Sequence, residues 1–304
     1  MNPEDHRGTR NARGKDEFWK TRMKGVQRLT TLGIILVCLG YWPTGCGGQE
    51  MAGFFSEKGI VFFPDPVLIG TPADYGLDYE EVWFEAEDGI RLHGWWLPRP
   101  GAPTLIWLHG NGGNISHRIE GLKLLHDLSE VQIFIFDYRE YGKSQGKIDR
   151  EGTFKDTAAA YRYVTETRRV PPSEVVLFGR SLGSALAVDL AVREPSRCLI
   201  IGSSFTSSDD MAKILIPFIP FMRDWRPSIP YDNLGKIGRV KVPVLIVHGD
   251  QDEIIPVEMG RRLFAAASDP KELYIIPGGH HNDTFFVGGK PYFDKLRQFI
   301  KESE

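Results

Sequence analysis

Residues 175–192 read VVLFGRSLGSALAVDLAV. The apolar run VVLF, closed by Gly179, has the length and composition of a buried strand. The Ala- and Leu-rich stretch after it contains no proline and reads as a helix. Between them, Gly179-Arg180-Ser181-Leu182-Gly183 fits G-x-S-x-G, the pattern that sets a serine on a sharp strand-to-helix turn. A second match, Gly142-Lys143-Ser144-Gln145-Gly146, occurs in a chain with 33 glycines among 304 residues, so the pattern by itself is weak and context must decide. The strand before Ser144 ends near Asp137, and residues 147–153 (KIDREGT) read as a loop. Ser144 therefore reads as a turn residue. Ser181 reads either as a helix-start serine or as a nucleophile.

The surrounding pattern is that of an α/β protein. EVWFEAEDGIRLHGWWLPRP (residues 81–100) predicts two antiparallel strands joined at Glu87-Asp88-Gly89. PTLIWLHG, VQIFIFDY, SEVVLFG, RCLIIGSSF, VPVLIVHG and KELYIIPG are further apolar strands. Helical patterns lie between or after them, among them residues 119–128 and FKDTAAAYRYVTETRR (154–169). Continuous apolar strands alternating with helices predict a mostly parallel central sheet with helices on both faces. One connection, about residues 206–241, exceeds an ordinary linker. Its prolines at 217, 220, 227 and 230 forbid one long helix, so it is expected to be a short cap with one or two short helices, or a packing insert without a substrate role.

Composition narrows the function. A net charge of −3 excludes the basic excess that nucleic-acid binding needs. Seven Trp and eighteen Phe suit a well-filled core or an aromatic pocket. The first fifty residues differ from residues 51–304, which read as the main domain. Residues 1–28 are rich in Arg and Lys, and residues 29–42, LTTLGIILVCLGYW, are uncharged. Basic residues before an apolar run predict a signal or anchor segment whose N-terminal side stays cytoplasmic, with the main domain on the non-cytoplasmic side of a membrane. PTGCGG around Cys46 resembles a bacterial lipid-attachment site, with Pro43 where a leucine is usual and with Met23 as a more typical start. The alternatives are an uncleaved anchor and a buried N-terminal helix of a cytosolic enzyme. Cys198, the one cysteine of the main domain, reads as a small buried hydrophobe.

A serine nucleophile needs a base, an orienting acid and an oxyanion site. In an open parallel sheet such groups gather at the carboxyl ends of strands. Asp250 and Asp252 follow VPVLIVHG, and His280 and His281 follow KELYIIPGG, so both pairs lie past strand ends in the order Ser, Asp, His. The other histidines are scattered. His109 and His248 read as loop-orienting residues, and no metal cluster is apparent.

With LHGNGGNISHR, FDYREYGKSQG, GRSLGSALA, VHGDQDEIIP and GGHHNDTF together, residues 60–304 resemble the α/β-hydrolase superfamily. The likeness is greatest to compact membrane-tethered serine hydrolases of the serine-aminopeptidase-like group, which is related to depalmitoylating thioesterases. The resemblance implies an α/β-hydrolase fold and a catalytic set of Ser181, Asp252 and His281. Asp252 lies four residues after the His-Gly histidine, and His281 directly precedes Asn-Asp, which favours each over its neighbour. Asp209 and Asp210 mark a fallback acid position. The amides of Asn111 and Leu182 are implied as the oxyanion hole. No cofactor is implied, and the expected substrate is a small acyl ester or thioester. Peptidase or amidase activity, or a catalytically silent binding module, are the alternatives. Glu140 departs from the family's DYRGYG pattern, which has glycine there.

Overall fold

A computed structural model describes residues 61–215 and 230–303. The basic N-terminal stretch, the apolar run, Cys46, and the prolines at 217, 220 and 227 lie outside them. In chain order, β1 (Phe63–Pro64) leads to the hairpin β2 (Glu80–Glu85) and β3 (Arg91–Leu97). Next come β4 (Thr104–Leu108), the two-residue β5 (Gly112–Gly113), α1 (Ile119–Ser129) and β6 (Gln132–Phe136). Helix α2 (Arg150–Arg162), β7 (Val175–Arg180), α3 (Leu182–Arg193) and β8 (Cys198–Gly202) follow. Then α4 (Ser208–Leu215) and α5 (Asn233–Ile237) precede β9 (Val244–Gly249), α6 (Val257–Ala266), β10 (Lys271–Ile276) and α7 (Thr284–Glu302).

Eight strands form one sheet in the order β10-β9-β8-β7-β4-β6-β3-β2. The pairings from β10 through to β6 are parallel, and β3 runs antiparallel to both β6 and β2. The period of two along each strand divides the core into two layers. Ile106, Leu108, Phe134, Phe136 and Leu177 face α2, α3 and α6. Trp107, Ile133, Ile135, Val176 and Phe178 face α1 and α7. Because β4 lies between β6 and β7, the chain leaves β4 and β7 toward opposite faces, and a crevice opens at their carboxyl ends.

Differences from the sequence expectation have local causes. Helix α2 starts at Arg150, four residues earlier than expected, because the Asp149 side chain accepts the Gly152 N–H (2.6 Å) as an N-cap. Of the long connection at about residues 206–241, the described ends hold the helices α4 and α5, and residues 216–229 lie outside the described residues. These ends meet through the Ser207–Asp232 bridge, and the buried Asn233 Nδ2 donates to the Phe205 carbonyl at 2.8 Å. The insertion is thereby tied to the chain just past β8. Cys198 is fully buried, as expected, and burial pushes its thiol up to about 12.

Two glycines set the contact between β4, β7 and α3 through close approach. A Cβ on Gly183 would overlap the Leu108 carbonyl, and one on Gly179 would lie 2.6 Å from the Ala187 Cβ. Replacing Gly183 by Ala forces backbone against backbone. It is expected to lower stability by about 3 kcal/mol, the upper end for overpacking, measured by urea denaturation.

Candidate active site

Ser181 sits between β7 and α3 at φ 54°, ψ −121°. L-residues rarely occupy such a conformation, which costs on the order of 1–3 kcal/mol. It is held by the Ser181 N–H donating to the Gly202 carbonyl (3.0 Å) and by the Ser181 carbonyl accepting the Ser184 N–H and Oγ–H (3.0 and 2.6 Å). The strained turn thus projects Oγ from the sheet edge while the backbone stays bonded to β8 and α3.

The loops after β9 and β10 bring Asp252 and His281 to this serine. His281 Nε2 lies 3.1 Å from Ser181 Oγ, and His281 Nδ1 lies 2.9 and 3.0 Å from the two Asp252 oxygens. A carboxylate only accepts, so Nδ1 carries the proton and Nε2 is left to accept from Oγ. Asp252 also accepts the N–H groups of Ile254 and Ile255 (3.0 and 2.8 Å), and His248 Nε2 stands 3.3 Å from it. Burial alone would raise the carboxyl. The hydrogen bonds from His248 and His281, with that from the Ile255 N–H, overcome this and hold Asp252 well below the usual carboxylate range.

The competing residues have other work. Asp250 accepts the Gly278 N–H (2.7 Å) and so links the loops after β9 and β10. His280 is exposed and faces Glu253 at 3.2 Å. Asp210 is engaged by Thr206, Lys213 and Arg262. Ser144 is buried: its Oγ donates to the Asp137 carbonyl (2.7 Å) and accepts the His93 N–H (2.9 Å), which makes it a turn brace. Among the described residues no group of three or more His, Cys, Asp or Glu could hold a metal ion.

Leu182 is the first residue of α3, so its N–H belongs to the helix start, where no intrahelical acceptor exists. Asn111 follows β4. His109 is buried, and burial, followed by the charge on Arg118, lowers its imidazole to about 3, so it is neutral. Its Nδ1 lies 2.7 Å from the Gly110 carbonyl and must be the donor. In a trans peptide the Asn111 N–H points opposite to that carbonyl, so His109 fixes its direction. The Asn111 carbonyl accepts the Tyr141 hydroxyl (2.7 Å) and the Phe63 N–H (3.1 Å), and its side chain donates to the Val61 carbonyl (2.9 Å). A Cβ on Gly110 would lie 3.4 Å from that of Ser181, so this loop is in contact with the serine.

Several supporting residues escaped the sequence reading. Tyr138 donates to the His109 carbonyl (3.0 Å), and Asp137 accepts the Ile115 N–H (2.9 Å). FDYREYG therefore braces HGNGGN. Arg180 and Ser203 (3.3 Å) both donate to the carbonyl of His281. Only Arg180 had a sequence signal, its place inside GRSLG. Glu140 takes φ 70°, the region that favours the glycine of the family pattern, and its carboxylate accepts the Ile148 N–H at 2.8 Å.

Because the folded Asp252 is depressed, its contribution to stability is complete above the unfolded value of about 4 and is lost as pH falls through the folded value. The stability gap between wild type and Asp252→Asn is therefore expected to narrow as pH drops from about 5 toward 3 in urea denaturation. A gap that widens on acidification contradicts the reading.

Comparison with known proteins agrees with this architecture. The α/β hydrolase fold family matches residues 103–236. The chain is 33% identical over 289 residues to the α/β hydrolase domain-containing protein WAV2 of Arabidopsis thaliana, covering 85% of this chain and 93% of that one. It is 35% identical over 250 residues to YfhR of Escherichia coli strain K12, covering 79% and 85%. Among solved structures, the Pyrococcus furiosus esterase Pf2001 matches with a TM-score of 0.68 and 21% identity over 80% of this chain and 98% of that one, a likeness of fold. One third of residues shared along nearly the full length of WAV2, on this sheet order, makes the chain a member of the α/β-hydrolase fold family.

Proposed function

We propose that this chain is a serine hydrolase that cleaves a carboxylic ester or thioester through an acyl-enzyme on Ser181. The observation that carries the reading is the continuous hydrogen-bonded line from Ser181 Oγ through His281 to Asp252, starting at a strained turn. Ser181 Oγ attacks the substrate carbonyl while His281 Nε2 takes its proton. Asp252 keeps the imidazole in the tautomer that can accept at Nε2 and stabilises the imidazolium that forms. The tetrahedral oxyanion is received by the amides of Asn111 and Leu182, each such donor worth about a hundred- to a thousand-fold in rate. His281 then returns the proton to the leaving group. Water, activated by the same histidine, attacks the acyl carbonyl and frees Ser181. Esters and thioesters are favoured over amides because their leaving groups depart with less help.

A fluorophosphonate probe is expected to label the wild type and Ser144→Ala but not Ser181→Ala. On p-nitrophenyl esters, Ser181→Ala should lower kcat by about a million-fold and Asp252→Asn by about ten-thousand-fold. Labelling that persists in Ser181→Ala overturns the site. Faster cleavage of amino-acid anilides than of esters replaces the esterase reading with a peptidase.

The same proposal takes the enzyme to be membrane-tethered, with its catalytic domain on the non-cytoplasmic side. Its support is the basic-then-apolar order of residues 1–48, and the PTGCGG context of Cys46 if the anchor is a lipid. Deleting residues 1–50 is expected to move the protein from the membrane to the soluble fraction. Equal solubility of both forms overturns the tether.

A further inference from the structure

Three buried polar atoms without a hydrogen-bond partner meet at one carboxyl behind the loop that carries Asn111. They are His93 Nδ1, His109 Nε2 and Asp137 Oδ2, on side chains that are all fully buried. Asp137 follows β6, His93 lies on the neighbouring β3, and His109 stands just past β4 on the other side. His93 Nδ1 is 3.9 Å from Asp137 Oδ2, and His109 Nε2 is 3.7 Å from Asp137 Oδ1. Among the described residues, the Ile115 N–H is the group that bonds to this carboxyl, at Oδ1 (2.9 Å). A Cβ on Gly142 would lie 2.1 Å from Oδ2, so backbone closes that side.

The protons on both imidazoles are fixed from their far sides. Lys143, and then His93, hold Glu81 below the usual carboxylate range. A carboxylate only accepts, so His93 Nε2, 2.9 Å from Glu81 Oε1, is a donor. His109 is neutral and donates through Nδ1 to the Gly110 carbonyl (2.7 Å). With these far bonds made, each imidazole in its neutral form turns a lone pair toward Asp137. An ionised Asp137 would then be buried with one donor against two lone pairs, a costly arrangement that a single proton removes. A proton on Oδ2 meets His93 Nδ1 and leaves Oδ1 to accept from Ile115. Burial raises the Asp137 carboxyl in the same sense, against the pull of His93, the Ile115 N–H and Arg118.

Loss of that proton would reach the oxyanion loop through His109. An ionised Asp137 favours an N–H at His109 Nε2. A neutral imidazole can supply it only by giving up the proton on Nδ1. The bond to the Gly110 carbonyl is then lost, and the peptide that aims the Asn111 N–H is released.

We propose that Asp137 is a positioning residue that works as the neutral acid. Its carboxyl proton, donated to His93 Nδ1, keeps His109 in the Nδ1–H tautomer, and its loss at alkaline pH misaligns the Asn111 amide. The effect on catalysis rests on the serine-hydrolase reading, whereas the proton itself is measurable without a substrate. The titratable and charged groups facing this carboxyl are His93 from β3, His109 from the loop after β4, Arg118 before α1 and Tyr141 from its own loop. Glu81 and Lys143 stand beyond His93.

Asparagine reproduces a neutral aspartic acid, since its oxygen can accept from Ile115 and its amide can donate to His93, but it cannot ionise. Full-length Asp137→Asn is expected to keep kcat on p-nitrophenyl esters within about tenfold of wild type at pH 7. Wild-type kcat should fall with loss of one proton between about pH 7 and 9, where fully buried carboxyls titrate, at little changed KM. That fall should be absent in Asp137→Asn. Urea denaturation supplies the second measurement. Unfolded Asp137 ionises near pH 4 while the folded acid keeps its proton, so wild type should lose stability relative to Asp137→Asn as pH rises from about 5 to 8. This is opposite in sense to Asp252→Asn. A variant that fails to fold, or that loses more than about tenfold in kcat at pH 7, shows that the charge is needed and overturns the proposal. An alkaline fall shared by both forms overturns the positioning role, and a stability difference that stays flat with pH overturns the proton. A wild type that cleaves no ester and takes no fluorophosphonate label removes the hydrolase reading and the positioning role with it, while the pH-dependent stability difference still decides the proton.

Discussion

The contact between the end of β4 and the start of α3 governs everything at the sheet edge. Gly183 lies against the Leu108 and His109 carbonyls, and Gly179 lies against α3, with no space for a Cβ at either position. This closeness lets a buried parallel strand turn into a helix within one residue, and that residue is Ser181. Its backbone strain is tolerated because β8 and α3 both bond to it. The same contact brings the loop after β4 against the serine, so the turn at Ser181 and the Asn111 amide are positioned by one packing event.

Around that contact, charges and buried polar groups act chiefly on backbone direction. Neutral His109 turns the Gly110–Asn111 peptide, Tyr138 and Tyr141 hold its neighbours, and Asp137 anchors Ile115. On the other side, Arg180 and Ser203 hold the carbonyl of His281, while Asp250 ties its loop to the loop that carries Asp252. The loop after β4 is therefore held from the end of β6, and the loop after β10 from the ends of β7, β8 and β9. A line of hydrogen bonds from Ser181 to Asp252 needs such bracing, because an error of about 1 Å in any loop would break it.

Much of this was legible in the chain. The strands of the main sheet could be read from apolar runs, since strands buried on both faces have no polar alternation. The hairpin before β4 followed from Glu87-Asp88-Gly89, and Gly89 indeed takes φ 78°. Ser181 could be separated from Ser144 because only one of the two glycine-flanked serines stands between a strand and a helix. Less legible were helix starts that depend on one side chain, such as the Asp149 cap of α2. The braces at Tyr138 and Ser203 were not legible, and Arg180 was marked only by its place inside GRSLG, because each acts on a residue at least 29 positions away in the chain.

The amino-acid sequence by itself determined the alternation of strands and helices, the strand-turn-helix at Ser181, and the order in which serine, aspartate and histidine occur. These are local properties, set by apolar period, glycine spacing and chain order. Only the tertiary structure decided which aspartate and which histidine meet the serine. Asp250 and Asp252, like His280 and His281, differ in direction rather than in chemistry, and direction is set by how the loops after β9 and β10 fold against each other.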